Sequence, residues 1–428
     1  MEQSIGDKLI SLRRDLHQHP EPAWCEFYTT ARIIQELKEI GVDQLYTGKE
    51  VVDPEERIAV PETSEREKWF KQAIDEGIDE SLITPMKDGY TGVVATLECG
   101  DGPTVALRVD IDGLLREEAT NDNHKPAAEG FRSKHEGAMH ACGHDAHASI
   151  GVGVLRQISK SDFSGTLKVL FQPGEEQIAG GKALAESGHL DDVDYLLAVH
   201  VGLDHPTGEI VGGINGFLAV QQFKASFAGS PAHAGGKPNE GDNAVQAMAT
   251  AIQNLYSIPR HEDGKTRINA GNVSGGTATN IIPEEAFIEG EVRGESTELR
   301  DYMADKADNI LEHAAKMHNC EVDVDINGKA PSATSDEQLV DIITQIAEEH
   351  DDVDSVLKYD TLGGSEDATH LMNRVQANGG FATYVCVGTD HPGGHHTSIF
   401  DVDEESITLG VEILSNSIQS IANNHPIE

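Results

Sequence analysis

Two stretches near the start of the chain repeat apolar residues every three or four positions. The first is centred on Leu9 and Leu12, and the second runs from about Thr30 to a stop at Gly41. This spacing predicts two amphipathic helices. A polar and acidic segment follows, from about residue 48 to 90, and we expect it to be an insertion that covers the main body.

From residue 93 onward, short apolar runs alternate with helical patterns. The runs are VVATLE, TVALRVDID, GTLKVLFQP and DYLLAVHV, and helical patterns occupy about 147–159 and 183–187. Such alternation predicts an α/β fold, in which a mostly parallel sheet is covered by helices on both faces.

The pattern changes at about residue 214. Four strand patterns and two helical patterns follow, and they predict a compact α+β domain over residues 214–330. The strand FATYVCVGT and a C-terminal helix then resume the first pattern. We therefore expect one domain built from residues 1–213, with the acidic insertion, and 331–428, with the second domain inserted between these parts.

Composition restricts the partners that the protein can have. The 428 residues are 38% hydrophobic and 25% charged, which is ordinary for a globular chain of two or three domains. Lys and Arg number 32 against 74 Asp and Glu, a formal net charge of −42 that is spread along the whole chain. Such a surface repels phosphate backbones and anionic lipids, so we expect neither nucleic acid nor membrane partners. We interpret it as adaptation to very high salt, where repulsion is screened, with plain solubility as the alternative.

The cysteines and the N-terminal segment indicate the compartment. Five scattered cysteines are not the even set of a disulfide framework, which favours a reducing environment. The opening MEQSIGDKLISLRRDLHQHP lacks the apolar core of a signal peptide, and no run of about 20 apolar residues occurs. We therefore expect a cytoplasmic protein.

The segment MHACGHDAH concentrates side chains that could bind a metal directly before a helical pattern. It contains His140, Cys142, His144, Asp145 and His147. Cys142 and His144 flank one glycine, and a tight turn there would present a thiolate and an imidazole to one ion. The competing interpretation is a Cys–His nucleophile pair.

Two further groups lie where predicted strands end, the edge at which α/β sheets place their sites. Glu175 and Glu176 follow a strand in FQPGEEQ, and His200 ends the strand YLLAVH. Neighbouring side chains point in different directions, so one glutamate can bind a metal while the other acts as a general base.

A third group lies in GTDHPGGHHTSIF, after the last predicted strand. It carries His391, His395 and His396, which form either a metal-binding loop or a surface histidine run. The candidate ligands then exceed what one tetrahedral catalytic zinc takes from a protein, so we expect two neighbouring ions. These candidates are Cys142, His144, Glu176, His200 and His396.

The order of these motifs resembles that of the aminoacylase/carboxypeptidase family of metallohydrolases, which cleave N-acyl amino acids. The resemblance is carried by MHACGHDAH, FQPGEE, AVHVG, GSPAHAGGKP, GGTATNIIPEEAFIEGEVRG, GGSEDATHLM and HHTSIFDVDEE, and it covers nearly the whole chain. It implies a metallopeptidase-like catalytic domain with an inserted lid and dimerisation domain. Within this family, the acidic insertion, GSEDATHLMNRVQ and the doubled histidine are most similar to the group that hydrolyses p-aminobenzoyl-glutamate, its A-subunit type.

The resemblance also implies a role for each site residue. The five candidates fall at the family's metal-ligand positions, and Glu175 falls at the general base. Asp112 in VDIDGL falls where the family orients a ligand. His395 could compete with His396, but the spacing from His396 to Phe400 matches the family pattern.

Three residues of the inserted domain are implied to face the substrate. His233 in SPAHAG falls at a position that stabilises the oxyanion, often in the partner subunit's active site. Asn280 in TATNIIP and Arg293 in GEVRG fall where relatives hold the substrate carboxylate.

The activity implied is hydrolysis of the amide bond of N-acyl amino acids, with p-aminobenzoyl-glutamate yielding p-aminobenzoate and glutamate. It would use two divalent ions, Mn²⁺ or Zn²⁺ with Co²⁺ as a further option, in a homodimer or a heteromer joined through the lid domain. Three alternatives stay open: a hydrolase of another conjugate such as an indole-acetyl amino acid, an inactive metal-binding partner subunit, and a metal-free cysteine hydrolase using Cys142 and His144.

Overall fold

The computed structural model describes residues 4–427. Within that range, the helices are α1 (Ile5–Gln18), α2 (Phe27–Ile40), α3 (Thr63–Asp75), α4 (Glu80–Ile83), α5 (Lys125–Glu129), α6 (His144–Ile158), α7 (Gly180–Ala185), α8 (Ala244–Leu255), α9 (Thr297–Met317), α10 (Glu337–Glu348), α11 (Ala368–Ala377) and α12 (Glu405–Asn423). The strands are β1 (Gln44–Thr47), β2 (Val93–Glu98), β3 (Thr104–Asp110), β4 (Thr166–Gln172), β5 (Tyr195–Val201), β6 (Glu209–Asn215), β7 (Ala219–Ala228), β8 (Thr266–Gly275), β9 (Glu285–Gly294), β10 (Glu321–Ala330), β11 (Ser355–Thr361) and β12 (Phe381–Val387).

The described chain divides into two compact units. The first contains the residues up to Asn215, residues 333–362 and those from Asp367 onward, and the second contains residues 216–332 and 363–366. The domain limits expected from the sequence were 213 and 330. The catalytic and lid roles expected of the two domains stay predictions.

The first unit is built on an eight-stranded sheet in the order β1-β2-β4-β3-β5-β12-β6-β11. Strands β4, β3, β5 and β12 run parallel, as do β6 and β11, whereas β1–β2, β2–β4 and β12–β6 are antiparallel. Strands β3 and β5 are buried along nearly their whole length, as expected for central strands covered on both faces. The predicted α/β fold with a mostly parallel sheet is confirmed.

Side-chain alternation shows how the helices cover this sheet. Val109 on β3 lies against Gly151 of α6, and the preceding residue, Arg108, pairs with Asp367 directly before α11. Successive residues of a strand point to opposite faces, so α6 and α11 lie on opposite faces of the sheet. The parallel strands leave their carboxyl ends at one edge, which is where the candidate site residues begin.

The second unit is a four-stranded antiparallel sheet in the order β10-β7-β9-β8, against which α8 and α9 pack. Its own apolar core includes Phe223, Ile288, Met303 and Leu311. The four strands and two helices are those that the sequence pattern predicts.

Seven elements were not predicted from the sequence: β1, β6, β11, α4, α5, α10 and α11. Strand β6 contains two glycines, and β1 and β11 lie at the sheet edges with half of their positions or more solvent-accessible. Edge strands lose the apolar run that marks a buried strand, because solvent replaces one packing partner. Among the described residues, no helix combines the length and apolar character needed to cross a membrane.

Candidate metal centre

A glycine turn brings Cys142 and His144 together at the start of α6. Gly143 caps the helix with a left-handed backbone, φ +92°, and a Cβ at this position would lie 2.6 Å from a methyl group of Val201. Both the backbone and the available space therefore require glycine. The side chains on either side of it, Cys142 and His144, are buried.

Asp112 organises three of the candidate groups at once. Its carboxylate accepts hydrogen bonds from the backbone N–H of Glu175, at 3.2 Å, and of Glu176, at 3.0 Å. It also lies 3.2 Å from Nδ1 of His144. A carboxylate at Nδ1 places a proton on that nitrogen and turns Nε2, the nitrogen left for a metal, toward the centre. The position of Asp112 is therefore that of a residue that orients a ligand.

His200 is held in the complementary orientation at the end of β5. Its Nδ1 donates to the carbonyl of Val201 at 2.7 Å, so Nε2 carries the free lone pair and lies 3.5 Å from Sγ of Cys142. Burial and the neighbouring His147 lower the pKa of His200 well below its ordinary value. The imidazole is therefore neutral, as a metal ligand must be.

The C-terminal histidine loop presents its two adjacent histidines differently. His396 has a left-handed backbone, φ +59°, and its N–H donates to the carbonyl of Ala141 at 2.8 Å. This conformation is uncommon outside glycine and brings Nε2 of His396 to 3.4 Å from Oε2 of Glu176. His395 instead accepts a hydrogen bond from the N–H of Leu203 at its Nε2, 3.0 Å away.

The candidate ligand atoms converge within the first unit. Potential donor atoms lie within 4.8 Å of one another in three overlapping groups, Cys142–His144–His200, Cys142–Glu176–His396 and His144–Glu175–Glu176. Two of these atoms, Nε2 of His144 and Oε1 of Glu176, are buried and have no hydrogen-bond partner among the described residues. Buried polar atoms of this kind need a partner, and the mixed N, O and S donor set fits a divalent cation of the zinc or manganese type.

The electrostatics of the centre favour protonation of two candidate ligands, His144 and Glu176, and a metal ion that binds them would have to displace these protons. Burial alone disfavours the charged form of His144, but Asp110 and Asp112 raise its pKa to about 10. Burial raises the pKa of Glu176 to about 8, with the nearby aspartates adding to it. The carboxylates therefore generate a strongly negative field inside the fold, which a bound cation would neutralise.

Other residues around the centre have structural positions that the sequence did not single out. The carboxylate of Asp110 binds Nδ1 of His147, whose Nε2 accepts the N–H of Val201, so both His147 nitrogens are occupied. Glu26 accepts the N–H of Gly174 at 2.8 Å and thus holds the loop before Glu175. Asp110 could have been found from VDID, because it ends β3 two residues before Asp112.

His140, by contrast, makes no side-chain hydrogen bond to the candidate ligands. It is buried, and neither ring nitrogen has a hydrogen-bond partner among residues 4–427. Burial lowers its pKa to about 3, so the ring is neutral.

The inserted unit separates the three residues that were expected to face the substrate. His233 is exposed, and its Nδ1 accepts the N–H groups of Gly235 and Gly236, at 3.1 and 2.9 Å, which leaves the proton on Nε2. The carbonyl of Asn280 accepts the N–H of Ala234, so Asn280 lies beside this loop.

Arg293 lies at the other end of β9, about 25 Å along the strand from Glu285. The carboxylate of Glu291 binds its guanidinium through Nε at 2.8 Å and Nη2 at 3.0 Å, and Ser365 Oγ is 3.3 Å from Nη1. Asn280 therefore does not lie beside Arg293 within one chain, although the family resemblance assigns both residues to the substrate carboxylate.

Comparisons with known proteins agree with this architecture. Residues 106–420 match the model of the peptidase family M20/M25/M40. The chain is 38% identical over 413 residues to indole-3-acetyl-aspartic acid hydrolase of Enterobacter agglomerans, covering 95% of this chain and 94% of the relative. It is 37% identical over 418 residues to one subunit of the p-aminobenzoyl-glutamate hydrolase of Escherichia coli (strain K12), covering 97% and 96%.

A solved structure also shares this architecture. The crystal structure of the aminobenzoyl-glutamate utilization protein from Klebsiella pneumoniae superposes with a TM-score of 0.82 at 32% identity, covering 99% of this chain and 97% of that one. The relatives confirm the prediction of a hydrolase acting on the amide bonds of N-acyl amino acids. The chain therefore belongs to the peptidase family M20/M25/M40 and is a metal-dependent amidohydrolase.

Proposed function

We propose that this protein hydrolyses conjugates in which an aromatic acyl group is joined by an amide bond to an acidic amino acid, with p-aminobenzoyl-glutamate as the first substrate. The observation that carries the proposal is the convergence of N, O and S donor atoms beside two adjacent glutamates, with Cys142, His144 and His200 buried and His396 exposed. The relatives named for p-aminobenzoyl-glutamate and indole-3-acetyl-aspartate share this substrate chemistry, since glutamate and aspartate are both dicarboxylic.

The centre would hold two divalent ions through Cys142, His144, Glu176, His200 and His396. Two ions divide this set more naturally than one, because a catalytic zinc takes about three protein ligands and keeps an open position. Mn²⁺ and Zn²⁺ both suit the mixture of imidazole and carboxylate, and the thiolate of Cys142 favours Zn²⁺ or Co²⁺.

The residues around the centre suggest how the reaction proceeds. When bound, the ions supply Lewis acidity that polarises the amide carbonyl and makes a water easier to deprotonate. Glu175 takes a proton from the attacking water, whose oxygen forms the new bond to the carbonyl carbon. As the C–N bond breaks, Glu175 returns the proton to the leaving nitrogen, so the products are a carboxylic acid and a free amino acid.

The inserted unit would contribute the remaining contacts. His233 carries its proton on Nε2 and can donate a hydrogen bond to the developing oxyanion. Arg293 can bind a substrate carboxylate once its ion pair with Glu291 is broken. Since Asn280 and Arg293 lie at opposite ends of β9, a site that uses both would need a second copy or a related chain, which accords with the Escherichia coli relative being named as one subunit of its enzyme.

The experiment is an assay of amino-acid release by the purified protein in high salt, reconstituted in turn with Mn²⁺, Zn²⁺ and Co²⁺. The substrates are p-aminobenzoyl-glutamate, p-aminobenzoyl-glutamine, indole-3-acetyl-aspartate and an N-acetyl amino acid. We expect the first to give the highest kcat/KM and the glutamine conjugate, which lacks the side-chain carboxylate, to be poor. A preference for indole-3-acetyl-aspartate would support the second candidate, which the 38% identical relative favours.

Two controls test the cysteine-hydrolase and inactive-partner hypotheses. Chelation should abolish activity and the added metal should restore it, whereas a cysteine hydrolase would keep working. If the isolated chain binds metal but hydrolyses none of the substrates until a related chain is added, the inactive-partner hypothesis holds instead.

A further inference from the structure

The two histidines that contact the sulfur of Cys142 do so with opposite nitrogens. Sγ lies 3.5 Å from Nε2 of His200 and 3.5 Å from Nδ1 of His395. The role of each ring follows from what its other nitrogen binds, because a neutral imidazole has one N–H donor and one acceptor.

Nε2 of His395, the ring nitrogen that points away from the sulfur, faces a group that can only donate a hydrogen bond. The backbone N–H of Leu203 points to Nε2 of His395 at 3.0 Å, so this nitrogen must be the acceptor. The proton of the neutral ring then lies on Nδ1 and points at the sulfur. His200 is the reverse case, since its Nδ1 faces the carbonyl of Val201, which can only accept.

The surroundings of His395 maintain this arrangement. Its ring packs against Phe400 and His391, with centroids 4.9 and 4.8 Å away. A Cβ on Gly202 would lie 2.9 Å from Nε2 of His395, so the glycine gives the ring its room. Packing on two sides and a backbone donor on the third make a flip of the ring costly.

We propose that His395 is a positioning residue, which donates an N–H···S hydrogen bond to the Cys142 thiolate and reduces the electron donation of that sulfur to the metal. This inference rests on the proposed function, in which Cys142 is a ligand. It excludes His395 as a ligand, because its inward nitrogen carries a proton, and it gives the doubled histidine of the loop two distinct tasks. Partners that hydrogen-bond a metal ligand orient it and tune the metal.

Two substitutions separate this role from a purely structural one. His395→Asn keeps a donor at the position of Nδ1 but cannot reach Leu203. His395→Gln keeps an acceptor at the position of Nε2, and thus the hold on Leu203, but loses the donor to sulfur. If His395 has only a structural role, His395→Gln should preserve the centre and His395→Asn should damage it. Our proposal predicts that His395→Asn preserves the centre and His395→Gln alters it.

The measurement is the absorption of the Co²⁺-substituted protein, in which a thiolate ligand produces a sulfur-to-cobalt charge-transfer band. We expect the band at longer wavelength in His395→Gln and His395→Phe, because a thiolate without a donor releases its electrons more easily. His395→Asn should keep the wild-type band. Titration with Co²⁺ should show that each variant still binds the metal, so that a shifted band reports the environment of the sulfur and not loss of the ion.

The outcomes distinguish a failure of the metal centre from a failure of the role of His395. Absence of the band from the wild-type protein would mean that Cys142 is not a ligand, and the proposed centre would be wrong. A wild-type band that stays unchanged in Gln and Phe, or one that is lost in Asn but kept in Gln, would overturn the role of His395 while leaving the centre intact. A melting curve of each variant checks that it is folded.

Discussion

At the scale of single residues, one loop places two adjacent glutamates in different surroundings. The backbone N–H of each glutamate donates to Asp112, which fixes the backbone while the two side chains point in different directions. Oε2 of Glu176 faces His396 at 3.4 Å, and the side chain of Glu175 stays at the margin of the centre, 3.8 Å from Nε2 of His144. The position of Glu176 suits a metal ligand, and the position of Glu175 suits a general base that contacts water.

Substituting each glutamate tests this division. Glu175→Gln should lower kcat by about 10²–10⁴-fold with nearly unchanged metal content, because it removes a proton carrier and not a ligand. Glu176→Gln should lower metal occupancy. Elemental analysis of the purified variants beside the kinetic assay decides between them, and metal loss in Glu175→Gln alone would reverse the two roles.

Arg293 offers a second test at this scale. Loss of a charge-assisted hydrogen bond costs about 1.5–3 kcal/mol, so Arg293→Ala should raise KM roughly 10- to 150-fold for an acid substrate. The matching methyl ester or amide should be affected far less. Glu291→Gln should act in the opposite direction and lower KM for the acid, because it weakens the carboxylate that holds Arg293 in the structure. Equal losses on acid and ester in Arg293→Ala would indicate a structural role.

At the scale of elements, the centre depends on where α6 begins. The turn at Gly143 needs a positive φ and cannot accommodate a Cβ beside Val201. The helix therefore cannot be extended toward its N-terminus, and this limit keeps Cys142 outside α6 while His144 is its first residue.

Gly143→Ala should destabilise the protein by more than the ~1–3 kcal/mol of backbone strain and should also reduce metal binding. Gly41→Ala is the matched control, because Gly41 caps α2 at φ +80° with open space around it. We expect the control to lose some stability in thermal melts but to bind metal normally. Intact metal content in Gly143→Ala would contradict the importance of the turn.

A buried ion network behind the centre joins α1 to the start of α6. Nδ1 of His17 on α1 lies 2.8 Å from Asp145 and its Nε2 lies 3.0 Å from Glu118. Burial and Arg13 oppose the charge of this ring, but the two carboxylates raise its pKa to about 9, above the ordinary value of 6.5. His17 is therefore a cation at neutral pH.

This network makes stability depend on alkaline pH. A raised pKa means that the contribution of His17 is complete below pH 6.5 and is lost as the pH rises through about 9. The loss should reach at most about 3 kcal/mol. Denaturant titrations between pH 6 and 10 should show the fall in unfolding free energy, and His17→Gln should start lower and vary less. Parallel pH profiles for both proteins would rule the network out as the cause.

At the scale of the whole molecule, the dominant property is the charge of −42. The structure locates part of it in a groove of the first unit, lined by seven carboxylates and by Lys125 as the only cation among its lining residues. These carboxylates belong to Asp351, Asp352, Asp354, Asp403, Glu404, Glu405 and Glu412. Repulsion of this kind opposes compact folding unless counterions screen it.

We expect the melting temperature to rise as KCl increases from about 0.1 M to 3 M, over which the screening length shrinks from about 10 Å to below 3 Å. Sucrose is the control, because it favours compact states by exclusion without screening charge. A flat or falling melting temperature in KCl, or an equal rise in sucrose, would contradict the adaptation to high salt.

Much of the fold and of the candidate metal centre could be predicted from the sequence. The order of strands and helices followed from apolar periodicity, and the α/β fold with an α+β insertion followed from their alternation. The candidate ligands could be found because Cys142, Glu176 and His200 lie at, or directly after, turns and strand ends. Edge strand β11 was missed, because solvent on one side removes its apolar run.

By itself, then, the sequence determined the family, the fold class and the residue types available for catalysis, since periodicity and local motifs need no knowledge of distant contacts. Only the tertiary structure decided which nitrogen of each histidine is free, because a tautomer depends on groups far away in sequence: Leu203 for His395, and Asp112 for His144. It also separated Asn280 from Arg293, since Asn280 precedes the ten-residue strand β9 and Arg293 lies near the far end of that strand.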